Sequence, residues 1–88
     1  MNRNLKSQGF MVTPNPTHGA VIVQFYPQPS GLRSIQLYNM PGQNISEITV
    51  GAEAGNYYTF DISAYGAGMY AVRAVFADKV LVKKIIKY

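Results

Sequence analysis

Few side chains in this chain could perform catalysis or bind a metal ion. The 88 residues contain no cysteine and a single histidine, His18, which lies in a proline-rich stretch. No Gly-x-Ser-x-Gly elbow is present to activate a serine nucleophile. The four carboxylates are scattered singly, at Glu47, Glu53, Asp61 and Asp78. We therefore predict no catalytic residue, no metal site and no cofactor; calcium bound by loop oxygens at Asp61 or Asp78 is the weaker alternative.

The basic residues are unevenly distributed. The net charge is +4, and four of the eight basic residues lie in the last ten positions, at Lys79, Lys83, Lys84 and Lys87. One interpretation is a solvated edge strand, on which lysines oppose strand-to-strand aggregation. The other is a positively charged strand presented to a partner. The stripe is short and interrupted by apolar residues, and RNA-binding aromatic motifs are absent, so we predict no nucleic-acid partner.

The elements that must hold these residues are short β-strands. Tyr, Val, Ile, Phe and Thr are plentiful, and turn residues recur at short intervals. Apolar side chains alternate within the segments, as Val21, Val23 and Phe25 do, which gives each segment one apolar face. The pattern predicts an all-β fold, a sandwich or a barrel, with seven strands at residues 10–13, 20–26, 33–38, 44–50, 57–62, 69–76 and 79–87.

The connections and chain ends are also predictable. Residues 40–43 and 77–78 suit tight hairpins, with Gly42 at a positive φ. Residues 61–68 suit a corner where the chain changes sheets, with unusual backbone angles at Gly66 and Gly68. We expect Tyr58 and Tyr70 to be core residues. Residues 1–9 are polar and aperiodic and predict a linker or a flexible N-terminal segment before a domain at 10–88. No apolar run reaches 18 residues, so we expect no membrane insertion, and no signal-peptide pattern opens the chain.

Five short motifs follow one another along residues 10–88. They are Pro14-Asn15-Pro16-Thr17-x-Gly19, Leu37-Tyr38-Asn39-x-x-Gly42-Gln43-x-Ile45, Phe60-Asp61-Ile62-Ser63, Ala67-Gly68-Met69-Tyr70-Ala71-Val72-Arg73 and Lys83-Lys84-Ile85-Ile86-Lys87. Each motif is weak alone, but in this order and at these spacings the chain resembles the C-terminal sorting domain of proteins exported by the type IX (Por) secretion system of Bacteroidota, in particular the type A class.

The resemblance implies a fold and a function. The fold would be a seven-stranded Ig-like β-sandwich of two antiparallel sheets, at the end of a larger exported protein whose cargo domain precedes Met1. The domain would be a non-catalytic address: the cargo reaches the periplasm, and the outer-membrane translocon and its shuttle protein then read the domain. A sortase-like peptidase would remove it, with the cut somewhere in residues 1–9, and the cargo would end at the cell surface or outside the cell.

The resemblance carries over to particular residues in two groups. The first serves mainly the fold and comprises Pro14, Asn15, Pro16, Gly19, Gly42, Gly68 and Tyr70. The second is the expected recognition signal and comprises Lys83, Lys84, Ile85, Ile86, Lys87 and Tyr88. Tyr88 extends one residue beyond the basic close that is usual in the family.

Two other functions remain open for the same fold. A carbohydrate- or protein-binding accessory module of a secreted protein would show an exposed row of tyrosines, for example at Tyr57 or Tyr65. A structural subunit would assemble through pairing of edge strands.

Overall fold

The strands occur where the alternation of apolar residues predicts them. The structure, a computed structural model, describes residues 9–26, 29–40, 42–51 and 55–88. The described strands are β1 (Gly9–Thr13), β2 (Ala20–Tyr26), β3 (Leu32–Asn39), β4 (Asn44–Thr49), β5 (Tyr57–Asp61), β6 (Gly68–Phe76) and β7 (Val80–Lys87). Each predicted strand end lies within one residue of the observed one. Of the predicted linker, residues 1–8 lie outside the described residues, and Gly9 begins β1.

The strands form two antiparallel sheets. The smaller has the order β1-β2-β5 and the larger the order β4-β3-β6-β7. All pairings between named strands are antiparallel, so the predicted all-β fold with two antiparallel sheets is confirmed. The first and last strands are each at the edge of a sheet, and they approach each other across the sandwich.

The core lies between the two sheets and follows the period of two along each strand. Phe25 is at its centre: its ring contacts Phe10 and Tyr58 of the smaller sheet at centroid distances of 5.5 and 6.1 Å, and Phe76 of the larger sheet at 6.1 Å. The contact between Phe25 and Phe76 joins the two sheets. The buried apolar residues are Phe10, Val12, Val21, Val23, Phe25, Leu32, Ile35, Leu37, Phe60, Ile62, Tyr70, Val72, Ala74, Phe76 and Ile85.

The connections agree with the predicted turns except at one glycine. Gly42 has a φ of 115° in the turn between β3 and β4, where the Asn39 N–H donates to the Gln43 carbonyl at 3.0 Å. At the corner after β5, the chain passes from the smaller sheet to the larger one, as predicted. There Gly68 has a φ of 148°, but Gly66 is not among the described glycines with a positive φ. The expectation for Gly66 was wrong, because Gly68 alone takes the left-handed angle at this corner.

Two hydrogen bonds fix the same corner. The Tyr70 hydroxyl, on a side chain that is otherwise buried, donates to the Gly66 carbonyl. The Ser63 N–H donates to Asp61 Oδ1 at 2.9 Å, and this bond holds the pKa of the Asp61 carboxyl below its usual value. Tyr70 is therefore a core residue whose polar tip stabilises the crossing between sheets. Tyr58 also packs against the core, and its buried hydroxyl has no hydrogen-bond partner among the residues that the structure describes.

The two core tyrosines give a matched pair of substitutions. We expect Tyr70→Phe to lower the free energy of unfolding by about 1 kcal/mol, because it removes the donor to a carbonyl at the corner. Tyr58→Phe should leave that free energy unchanged or slightly higher, because it removes a buried hydroxyl without a partner. Urea denaturation followed by circular dichroism measures both. An equal loss in the two variants would contradict the assignment.

Candidate recognition surface

Strand β7 divides the predicted recognition signal between the core and the solvent. Ile85 is fully buried, and Lys87 is only 9% exposed. Lys83, Lys84, Ile86 and Tyr88 are exposed. Successive side chains point to opposite faces of a sheet, which places Ile85 and Lys87 on the inner face and Lys84 and Ile86 on the outer one. Lys83 is on the same face as Ile85 but is exposed.

The Gly-x-Tyr motif lies directly beside this signal. In the register of β6 and β7, Gly68 is opposite Lys87 and Tyr70 is opposite Ile85. Tyr70 and Ile85 are both buried and face the core together. The turn that contains Gly42 is elsewhere, since it joins β3 to β4 and β6 separates β3 from β7. The structure thus brings Gly68 and Tyr70 to the closing strand and leaves Gly42 apart.

The opening motif bonds to the other side of β7. The Ile86 N–H donates to Asn15 Oδ1 at 3.0 Å. The Thr17 N–H donates to the Ile86 carbonyl at 2.8 Å, and the Tyr88 N–H donates to the Thr17 carbonyl at 3.0 Å. The two backbone bonds form a short parallel bridge between Thr17 and Lys87, and the Asn15 side chain adds the third bond beside it. We call this arrangement, residues 15–17 against residues 86–88, the terminal clamp.

Thr17 is the residue of this clamp that the sequence reasoning did not single out. Its side chain is 1% exposed. Its hydroxyl accepts from the Gly19 N–H at 3.0 Å and donates to the Ala20 carbonyl, which closes the loop before β2. A threonine two residues before a glycine in a proline-rich turn is the signal that could have identified it, since Ser and Thr hydroxyls commonly bond to nearby backbone groups in turns.

Gly19 lets the same loop approach the corner after β5. The Ile62 N–H donates to the Gly19 carbonyl at 2.8 Å. A Cβ atom at position 19 would lie 2.8 Å from the Cβ and 3.1 Å from the Cα of Ser63, closer than real contacts allow. Glycine is therefore required here for close approach. Asn15 and Gly19 both serve the clamp, whereas Pro14 and Pro16 are exposed and each follows a cis peptide bond.

The outer end of the clamp carries an aromatic pair. The rings of His18 and Tyr88 meet edge to face with a centroid distance of 4.3 Å, and both residues are exposed. The sole histidine therefore contacts a ring that belongs to the predicted signal. Nearby, Lys83 and Lys84 form no ion pair with any residue that the structure describes. The exposed part of the signal is thus positively charged and unneutralised.

The described residues contain no cluster of possible metal ligands. No group of three His, Asp or Glu residues within 9–26, 29–40, 42–51 and 55–88 could hold a metal ion. Asp61 and Asp78, the two residues of the calcium alternative, are not part of such a group, and Glu53 lies outside the described residues. In the same part of the chain, no helix is long and apolar enough to cross a membrane.

Comparison with known proteins identifies the family. The model of the secretion system C-terminal sorting domain matches residues 11–88, essentially the whole chain. The chain belongs to this family. No curated protein matches the chain well enough to count as a relative. The match to the family model confirms the predicted resemblance to this family.

Membership of this family indicates what kind of domain the chain forms. A sorting domain of this family is a C-terminal signal for type IX secretion, and such domains are in general non-catalytic. The signal implies a cargo on its N-terminal side, the involvement of the type IX machinery, and export to the cell surface or the extracellular space.

One substitution tests the clamp of this sorting domain. Asn15→Ala removes the acceptor of the Ile86 N–H, so we expect hydrogen exchange at the Ile86 and Tyr88 amides to become faster by about tenfold. The matched control is Asn44→Ala, at the exposed start of β4, which should leave both rates unchanged. Amide exchange measured by NMR distinguishes the two. Unchanged rates in Asn15→Ala would show that this bond does not hold the last strand.

Proposed function

We propose that the exposed residues of β7 and its end, with the clamp that holds them, are the surface that the type IX machinery reads. The supporting observation is that Lys84, Ile86 and Tyr88 are exposed on a strand whose backbone is fixed from both sides, by β6 and by the opening loop. A fixed strand presents its side chains at defined spacing and loses little conformational entropy on binding. The readers we propose are the outer-membrane translocon and its shuttle protein.

The buried members of the signal have a different role in this proposal. Ile85 fills the core, and Lys87 lies between Gly68 and Thr17. They hold the strand in place, and the exposed members make the contact. Deletion of residues 85–88 would remove both kinds of residue at once, so substitutions on the surface are the sharper test.

The test is delivery of a reporter in a host that has a type IX system. A signal peptide and a fluorescent protein are fused ahead of residues 1–88, and surface fluorescence is compared with total fluorescence. We expect Lys84→Glu combined with Ile86→Asp to lower the surface fraction by about tenfold, the effect of losing roughly 1.4 kcal/mol of binding.

The matched control is Arg33→Glu combined with Thr49→Asp, which makes the same change of charge at exposed positions on β3 and β4. It should leave delivery unchanged. Equal loss in both variants would mean that net charge, and not this surface, governs delivery. Unaltered delivery in the Lys84 and Ile86 variant would contradict the proposal.

We further propose that a sortase-like peptidase removes the domain after it crosses the outer membrane. The cut would fall in residues 1–9, a range that ends at Gly9, the first residue of β1. Mass spectrometry of the delivered reporter would locate the new end. A reporter that retains residues 9–88 would contradict removal.

A carbohydrate-binding module is a second candidate, and a particular pair of tyrosines favours it. Tyr26 and Tyr57 are 52% and 57% exposed. Both lie on the outer face of the smaller sheet, where Tyr57 is opposite Gln24 and Tyr26 is therefore its diagonal neighbour. Two exposed rings at this spacing could stack on a sugar.

A glycan array with the purified chain tests this second candidate. If it is correct, one glycan class binds saturably, and Tyr57→Ala weakens that binding by about tenfold. Tyr65→Ala, at an exposed tyrosine in the corner after β5, is the control and should bind as before. Absence of saturable binding to any glycan would exclude the module.

A further inference from the structure

The edge of β7 is covered at one end only. The N–H and C=O groups of Ile86 both bond to residues 15 and 17. In an antiparallel ladder, backbone groups at every second residue point to the same side, so those of Val82 and Lys84 point to the same side as those of Ile86. No described residue bonds to them there. Residues 80–84 are therefore an open strand edge that ends at the clamp.

A groove lies beside this open edge. It has a volume of about 250 Å³ and is lined by Gly9, Phe10, Tyr26, Leu81, Val82 and Lys83. It lies between β1 and β7, the edge strands at which the two sheets approach each other. A strand added to the edge would point alternate side chains into this groove, and its largely apolar walls suit an apolar side chain.

The side chains on the opposite face of an added strand would lie beside the outer face of the larger sheet. Val80, Val82, Ile86 and Met69 are exposed there by 43–51%. Lys84 lies among them on β7, and Arg73 lies opposite Val82 on β6. An exposed apolar stripe with cations inside it fits a partner that supplies both apolar and acidic side chains.

We propose that residues 80–84 accept an extended, acidic segment of a partner protein as an additional β-strand. Backbone hydrogen bonds to Val82 and Lys84 would supply affinity, and acidic side chains beside Lys84 on the outer face would supply specificity. The clamp closes the edge after residue 84, so it limits the positions at which the added strand can pair. A second copy of the chain is a poorer occupant, because it would bring lysines against lysines.

This inference deepens the proposed function and rests on it, since the segment would belong to the receiving machinery. Strand pairing is measured on the purified 88-residue chain, and delivery is measured in cells. Failure of delivery in the unaltered fusion would therefore count against the proposed function alone, and failure of pairing against this inference alone.

The probe is a blocked ten-residue peptide in which Val and Glu alternate, and its counterpart has Lys in place of every Glu. Binding is followed by fluorescence anisotropy with labelled peptide, and its site by amide shifts and hydrogen exchange in NMR. We expect saturable binding of the Glu peptide, at least about tenfold tighter than that of the Lys peptide, with slowed exchange at Val82 and Lys84.

The decisive substitution is Val82→Pro. Because the Val82 N–H points to the open edge and not to β6, proline removes the donor without removing a bond of the sheet. We expect it to weaken binding of the Glu peptide at least about tenfold, whereas the control Val82→Thr keeps the N–H and binds within about threefold of the unaltered chain. Circular dichroism checks that both variants fold.

Three results would overturn the inference. They are equal binding by a folded Val82→Pro, shifts confined to residues away from β7, and a dimer of the chain alone with protected Val82 and Lys84 amides. If Val82→Pro does not fold, the Lys84→Glu variant serves as the test. The inference requires that this variant prefer the Lys peptide over the Glu peptide. An unchanged preference for the Glu peptide contradicts the inference. Binding of anionic lipid vesicles in place of the peptide would also contradict it.

Discussion

The terminal clamp is the interaction on which the presentation of β7 depends. An edge strand is normally held by one neighbour, and its last residues fray because nothing covers their other side. Here the Ile86 backbone bonds to residues 15 and 17, and the Tyr88 N–H bonds to Thr17. The loop that forms these bonds is fixed in turn by the Thr17 hydroxyl and by the close approach of Gly19 to Ser63. The first and last parts of the domain therefore hold each other.

The period of two along β7 would let one short stretch serve both the fold and the recognition that we propose. Ile85 is part of the core beside Tyr70, whereas Lys84 and Ile86 on either side of it are exposed. A change at Ile85 alters the packing of both sheets, and a change at Lys84 or Ile86 alters only the surface. The contiguous motif in the sequence is thus two interleaved sets of residues, and only one set is accessible to a partner.

The sequence predicted the strands well because their alternation and their turn residues are local features. It did not predict which residues of the closing motif are buried and which are exposed. Both faces of that strand carry apolar residues, Val80 and Val82 on one face and Leu81 and Ile85 on the other. Only pairing with β6 shows that the face of Ile85 is the core. The clamp was not predictable, because it joins Asn15 to Ile86, 71 residues apart, through the path of an irregular loop.

The same long separation explains why the surface belongs to the folded domain and not to the terminal peptide. The positions of Lys84, Ile86 and Tyr88 relative to His18 and Asn15 exist only while the opening loop and β6 both flank the last strand. A short peptide with the same sequence would lose these contacts and would sample many conformations. It would therefore bind a partner more weakly for each residue in contact. The chain has few carboxylates, no cysteine and one histidine, and that histidine packs against Tyr88. Its distinctive residues set the shape and the charge of one edge. Such an arrangement is what the proposed recognition surface requires.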